Sequence, residues 1–348
     1  MVWMASATFR SGLAKNSAKF TKILLLADFI LFAILAGKIA STMTNSFEAV
    51  AAQWKADKRQ WVKPSTYATY VTLLNKHLLP FFTGKTSLGE AEIQAYVNAE
   101  IGSGLCRKSV RDSLTVLKMI LRYGEKTAHW PHASFEVRYP KSSEVKAELT
   151  VLSQNQQQIL HGYLRGHASR ENLGMLISMQ SGLRIGEVCG LQWRDLDVAV
   201  GMMRIRKTVQ RIWLSDGPER ENYLLVASPK TLSSVRDIPV SRELLRILRP
   251  LKARMPEDCY VVSGTTTPEE PRRLRAHFRR VLRQLGLPPF RFHALRHSFA
   301  TRCIGAGCDC KTVSAILGHS SVTTTMNLYV HPDNGAKRAV IEKAASML

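Results

Sequence analysis

Apolar positions recur three and four residues apart from Phe47 to about Lys126, the spacing that gives a helix one buried face. "FEAVAAQWKADKRQW" predicts one amphipathic helix, and Pro64-Ser65 opens a second through "TYATYVTLLNKHLLPFF", since proline suits the first helical turn. "LGEAEIQAYVNAEI" predicts a third, ended at Gly102–Gly104, and "RKSVRDSLTVLKMILRYGEK" a fourth. Residues 43–128 therefore read as a small all-α module. From His129 to Lys146 the stretch "HWPHASFEVRYPKSSEVK" has two prolines and no helical period, so 129–147 reads as a linker. A second domain, 148–330, opens near Ser153, with Gln156 three residues on as in a capping box. Two helices reach Gly190. "GMMRIRKTVQRI" and "ENYLLVAS" then run at strand length, joined by Asp216-Gly217-Pro218, and "VRDIPV" gives a third short strand after the turn "PKTLSS". From "SRELLRIL" onward the pattern is helical again. The tail, 331–348, breaks at Pro-Asp-Asn-Gly and resumes as an amphipathic helix that packs on its own domain or on a neighbour. The fold class is mainly α with a small antiparallel β-sheet, α+β.

Charge changes the picture. Lys and Arg number 49 against 27 acidic residues, a net +22. That excess favours a polyanionic partner, nucleic acid ahead of an anionic membrane surface. It also gives the fourth helix's Arg107, Lys108, Arg111 and Lys118 a reading beyond a solvated face, namely contact with a phosphate backbone. The six cysteines form no CxxC pair, which argues against a structural metal and suits the reducing cytoplasm, the expected location. The apolar run "ILLLADFILFAILAG", Ile23–Gly37, is short for a spanning helix and is interrupted by Asp28. Residues 1–42 thus read as a leader, either preceding a native start at Met43 or forming a membrane segment.

Three islands of the second domain carry chemistry. "SGLRIGEVCGLQW" sets Arg184 in an apolar run with Glu187 three residues on. "SPKTLSSVRDIPV" sets Lys230 at a turn between strands, and "FHALRHSFATRCIGAGCDCKTVSAILGHSSVTTTMNLYVH" holds His293, Arg296, His319 and Tyr329. Singly, each has a structural reading. Arg184 could pair with Glu187 across one helical turn, and a turn lysine is ordinarily solvated. His293 and Arg296 could cap or bridge a helix, His319 could end one, and Tyr329 could be core. Together they answer one problem, cleavage of a phosphodiester by an amino-acid oxygen. Guanidiniums make bidentate contacts to non-bridging oxygens, a lysine and histidines can move protons, and a tyrosine can attack. No carboxylate cluster at metal-ligand spacing appears, so neither metal nor cofactor is expected.

"SGLRIGEVCGLQWRDLD", "SPKTLSSVRDIPV", "HALRHSFAT" and "LGHSSVTTTMNLYVH", in this order, resemble the tyrosine recombinases, the phage-integrase family. The likeness spans the second domain as the catalytic domain, and the helical module resembles the family's core-type DNA-binding domain. It implies that Arg184 and Arg296 clamp the phosphate and that Lys230 is the general acid for the 5′ oxygen. His293 would handle protons, paired with Arg296. His319 would hydrogen-bond the scissile phosphate, and Tyr329 would form a 3′-phosphotyrosyl bond. Glu187 would orient the site without reacting, and Arg184 would wait in a dry pocket. The implied partners are double-stranded DNA recombination sites, a homo-tetramer on DNA, and accessory DNA-bending or excision factors. Ser181 stands where threonine is frequent, and no room for an arm-binding domain is apparent after Met43. The activity implied is a metal- and ATP-independent site-specific recombinase or integrase of a mobile element. A type IB topoisomerase-like enzyme and a non-catalytic DNA-binding protein are the alternatives.

Overall fold

The computed structural model describes residues 46–127, 130–131, 134–140, 151–216, 221–229 and 232–329, with 338, 341–342 and 344–346 of the tail. The leader 1–42, Lys230, the later part of the linker from 141 and most of the tail helix lie outside the described residues. No helix among the described residues is long and apolar enough to cross a membrane. The described residues divide into two compact units, those of 46–140 with 214–221, and those of 151–213 with 222–346.

The first unit is helical. Its helices are α1 (Phe47–Trp61), α2 (Pro64–Leu73), α3 (Leu79–Phe82), α4 (Glu90–Gly102) and α5 (Arg107–Thr127). The second predicted helix is interrupted by a π-helical turn, Leu74–Leu78, between α2 and α3. Pro80 accounts for it, since it has no N–H to give the preceding turn and its ring crowds the carbonyl four residues back. α5 buries Val110, Leu114, Leu117, Ile120, Leu121 and Gly124, a repeat of three and four that makes one apolar face. In the same core Tyr96 Oη donates to Ser113 Oγ at 2.7 Å, so the buried phenol keeps a partner. The stretch read as a linker begins later than predicted. Trp130 and Phe135, at 4% and 7% exposure, belong to the first unit's core, because two aromatic side chains gain more from burial than a spacer gains from freedom.

The second unit is built around α7 (Arg170–Ser181), which buries residues on all its faces, as a helix enclosed by others must. α6 (Gln154–Gly166), α8 (Ile185–Gly190), α10 (Pro271–Gln284) and α11 (His293–Gly305) pack against it. The predicted capping box at Ser153 and Gln156 opens α6, with Ser153 N–H donating to Gln156 Oε1 at 2.8 Å. α9 (Arg242–Lys252), α12 (Cys310–Leu317) and α13 (Val322–Tyr329) complete the described helices.

The strands are β1 (Leu196–Asp197), β2 (Met202–Ile205), β3 (Thr208–Leu214), β4 (Glu221–Ala227) and β5 (Arg236–Pro239). They form two sheets rather than one sheet of sequential neighbours. β2 pairs with β5, Met203 opposite Ile238, and β1 joins β2, while β3 and β4 make their own two-stranded sheet between them in sequence. Burial explains the jump. Met203, Ile205 and Ile238 are all 1–2% exposed, and this register puts those side chains on the core face. Of the inserted strands, Trp213, Tyr223 and Val226 are exposed.

Candidate active site

The site is assembled where three helix ends of the second unit meet. α7 ends at Gly182, whose φ is +67°, and a Cβ there would stand 2.7 Å from both Leu317 and Phe299. Only glycine fits this left-handed turn and its crowding. The turn delivers Arg184 in extended conformation to the start of α8 and aims the Gly182 carbonyl at Arg296, whose Nη1 donates to it at 3.0 Å. Gly318 does the same at the end of α12, with φ +66°. Its carbonyl accepts from Arg184 Nη2 at 3.2 Å, and that of Leu317 from Arg184 Nη1 at 3.4 Å.

Glu187 is the hinge of the charges. It is 3% exposed and accepts from Arg184 Nη1 at 3.0 Å and from the Arg184 backbone N–H at 2.9 Å. Arg236, on β5, grips both its oxygens, Nη1 to Oε1 and Nη2 to Oε2, each at 3.0 Å. Burial pushes this carboxyl up, but the hydrogen bonds and charge of Arg236, followed by Arg184, outweigh it and hold it below the usual range. It therefore stays ionised as a fixed counter-charge.

Arg296 has no such partner. It is 1% exposed, and its Nη2 is buried without a hydrogen bond. Burial first, and then the charge of Arg184, pushes its guanidinium down to about 9. An anion brought beside it would lift that cost. The dry arginine is thus Arg296, while Arg184, predicted to wait in a dry pocket, keeps 36% of its side chain exposed. The difference comes from the helix ends. Arg184 caps the mouth of α8, whereas Arg296 lies inside α11 facing the core.

Three histidines surround these groups. His293 is exposed, at the first turn of α11. Desolvation by surrounding protein, with the charges of His297, Arg296, Arg184 and His319, lowers it to about 4. Its ring meets that of His297 edge-on, 4.5 Å between centroids, one helical turn away. His319 shares a 2.8 Å hydrogen bond between Nδ1 and Oγ1 of the fully buried Thr325, and burial with the charges of Arg296 and Arg184 lowers it to about 4. Both rings are neutral near pH 7.

Tyr329, on the last turn of α13, is 7% exposed among Phe299, Ala300, Val313 and Leu317. Burial raises its phenol, and the positive charges of Arg296 and Arg184 pull it back. Its Oη lies 2.6 Å from Nδ1 of His297. The structure thus brings Arg184, Glu187, Arg296, His293, His319 and Tyr329 to one place, while Lys230 lies outside the described residues.

Arg236 and His297 were not singled out in the sequence. A signal existed for His297, since His293 and His297 are four apart in "HALRH" and share a helix face. None existed for Arg236, because its partner Glu187 is 49 residues away.

Residues 150–335 match the phage integrase family, more than half of the chain, and residues 46–100 match the phage integrase N-terminal SAM-like domain.

The chain belongs to the phage integrase family.

Among its integrase relatives, a tyrosine recombinase XerC-like protein of Caldanaerobacter subterraneus is 26% identical over 295 residues, covering 77% of this chain and 74% of the relative. The ICEBs1 integrase of Bacillus subtilis is 24% identical, covering 82% and 79%. The fold matches that of the Tn1549 transposon integrase solved in complex with a circular intermediate DNA, with a TM-score of 0.66, 21% identity, and coverage of 84% of this chain and 99% of that one. A lambda integrase tetramer bound to a Holliday junction matches at 0.57 and 16% identity, over 83% and 82%. The chain is therefore an enzyme of the tyrosine recombinase type, in which the helical first unit precedes the domain that carries the site.

Proposed function

We propose that the chain cuts and rejoins DNA at specific sites through a 3′-phosphotyrosyl bond on Tyr329. The observation that carries this reading is the buried, unpartnered donor of Arg296 in the same pocket as a tyrosine whose phenol feels Arg296 and Arg184. A phosphate seated there would take Nη2 of Arg296 and the exposed edge of Arg184, and the Glu187–Arg236 pair would hold Arg184 in place. Such preorganised charge stabilises a pentavalent phosphorus. Oη of Tyr329 attacks phosphorus, the P–O5′ bond breaks, and Lys230 protonates the leaving 5′ oxygen to a hydroxyl. Neutral His319 donates a hydrogen bond to a non-bridging oxygen, and neutral His293 passes protons beside the phosphate. The phosphodiester is exchanged for a phosphotyrosyl ester, so a 5′ hydroxyl from another strand can reverse the step without ATP or metal.

Double-stranded DNA is the partner the charge favours. The cleft beside His293 is lined by Arg275, Arg279 and Arg291, suited to the backbone flanking the cut. Exchange between two duplexes needs four such sites, so four copies act together on DNA, with accessory bending or excision factors. Relatives named ICEBs1 integrase and transposase from transposon Tn916 support integration or excision of a mobile element as the role.

The test is covalent trapping. The full chain and its Tyr329→Phe variant are incubated in excess chelator with labelled DNA from the junctions of the gene's own genetic neighbourhood, nicked so that cleavage cannot reverse. A protein-linked band on a denaturing gel that depends on Tyr329 supports the reading. Binding without a band contradicts it.

A further inference from the structure

We propose that His297 is the base that takes the phenolic proton of Tyr329. The inference rests on the phosphotyrosine reading above and assigns a step that reading leaves open.

The geometry singles out one imidazole of three. Nδ1 of His297 lies 2.6 Å from Oη of Tyr329, within reach for direct transfer. His319 has its Nδ1 engaged by Thr325, and His293 presents its ring to His297 rather than to the phenol. His297 sits in the middle of α11, one residue after Arg296, so the helix that carries the buried guanidinium also fixes the base. A buried phenol needs such a partner, since Tyr329 is held high by burial and is a poor nucleophile while protonated. Burial and then the charge of Arg296 lower His297, so it is neutral near pH 7 and free to accept.

The step balances without a further reactant. The proton passes from Oη to Nδ1, the Oη electron pair forms the bond to phosphorus, and the P–O5′ pair leaves to be protonated by the acid. On rejoining, the 5′ hydroxyl attacks, the bond from phosphorus to Oη breaks, and imidazolium His297 returns its proton to Oη. Arg296 beside the imidazolium favours that return, and the phosphate's own negative charge favours its formation.

The experiment compares His297→Ala and His297→Asn with the wild type in single-turnover covalent trapping on nicked DNA. Asparagine keeps a hydrogen-bonding atom where Nδ1 stands but has none that takes up a proton at neutral pH. Both variants should slow formation of the band by about 10²-fold or more, with DNA affinity changed by no more than about threefold. Between about pH 6.5 and 8 the wild-type rate should be flat, while the asparagine variant rises about tenfold per pH unit as hydroxide takes over the base's task. The charged and titratable groups around His297 are Arg296 and His293 on its own helix, Tyr329 on α13, His319 after α12 and Arg184 before α8. All of them remain in the variant, so the change in slope reports His297.

A His297→Asn rate near wild type, or variant and wild-type pH profiles that run parallel, would overturn the inference and leave His297 an anchor. Should alanine unfold the chain, the asparagine variant alone decides. A wild type that forms no band defeats the phosphotyrosine reading and this step with it, whereas a wild-type band with a fast asparagine variant defeats only this step.

Discussion

The second unit carries two polar clusters, and they are built on opposite terms. On one side of α7, Glu243 meets Nε2 of His161 and Nη1 of Arg165, each at 3.2 Å, and Nε2 of Gln180 at 3.0 Å. Ser241 Oγ closes the network on Gln180 at 2.6 Å. There the one carboxylate faces one arginine and a histidine, and His161, Gln180, Ser241 and Glu243 line a groove beside α6 and α11. At the start of α8 and α11, Arg184, Arg236 and Arg296 gather with three histidines, yet Arg184 and Arg236 share the one carboxylate of Glu187. A paired cluster is part of the fold. The unbalanced one leaves a buried guanidinium without a counter-charge of its own, the arrangement the proposed phosphate site calls for.

Three substitution experiments test that contrast. Arg296→Lys and Arg184→Lys keep the charge but lose the planar fork, and each should slow covalent complex formation by about 10²-fold or more in single-turnover trapping. A near-normal rate in either variant would remove that residue from the clamp.

Glu187→Ala and Glu243→Ala set the two clusters against each other in chemical denaturation. Losing Glu187 leaves Arg236, itself 7% exposed, without its counter-charge and should cost about 3 kcal/mol. Glu243 keeps 36% of its side chain exposed, and its loss should cost about 1 kcal/mol or less while strand cleavage stays at the wild-type rate. Equal losses would erase the distinction.

The smallest effect is a pH dependence. His293 and His319 lie near 4 in the folded chain against 6.5 ordinarily, and His297 is lowered too. Between about 6.5 and 4 the unfolded chain therefore binds protons that the folded chain does not, and stability falls as pH falls. The DNA-free protein should melt lower at about pH 5 than at about pH 7, and His293→Gln with His319→Gln should flatten the slope. The lowered carboxylates, Glu187 among them, lose their contribution only below about 4.5, outside most of that window.

The helices and the chemistry differed in how far the sequence disclosed them. Helix periodicity is local, so α1, α5 and the capping box of α6 could be read from neighbouring residues. The motif residues Arg184, Glu187, His293, Arg296, His319 and Tyr329 were legible from their order along the chain. What escaped depends on distant pairing. β2 skips β3 and β4 to join β5, a choice made by the burial of Met203, Ile205 and Ile238 rather than by any turn. Arg236 reached significance only through Glu187, and His297 only through a tyrosine 32 residues on. The exposure of Arg184 against the burial of Arg296 follows from the ends and faces of helices, which an apolar run in the sequence does not distinguish.

The surplus of positive charge at this site suits a tyrosine nucleophile. The most direct test digests the trapped complex with protease and nuclease and maps the residual nucleotide by mass spectrometry. The expected product is a nucleotide joined through its 3′ phosphate to the oxygen of Tyr329. A nucleotide on another residue, or one attached through a 5′ phosphate, would contradict it.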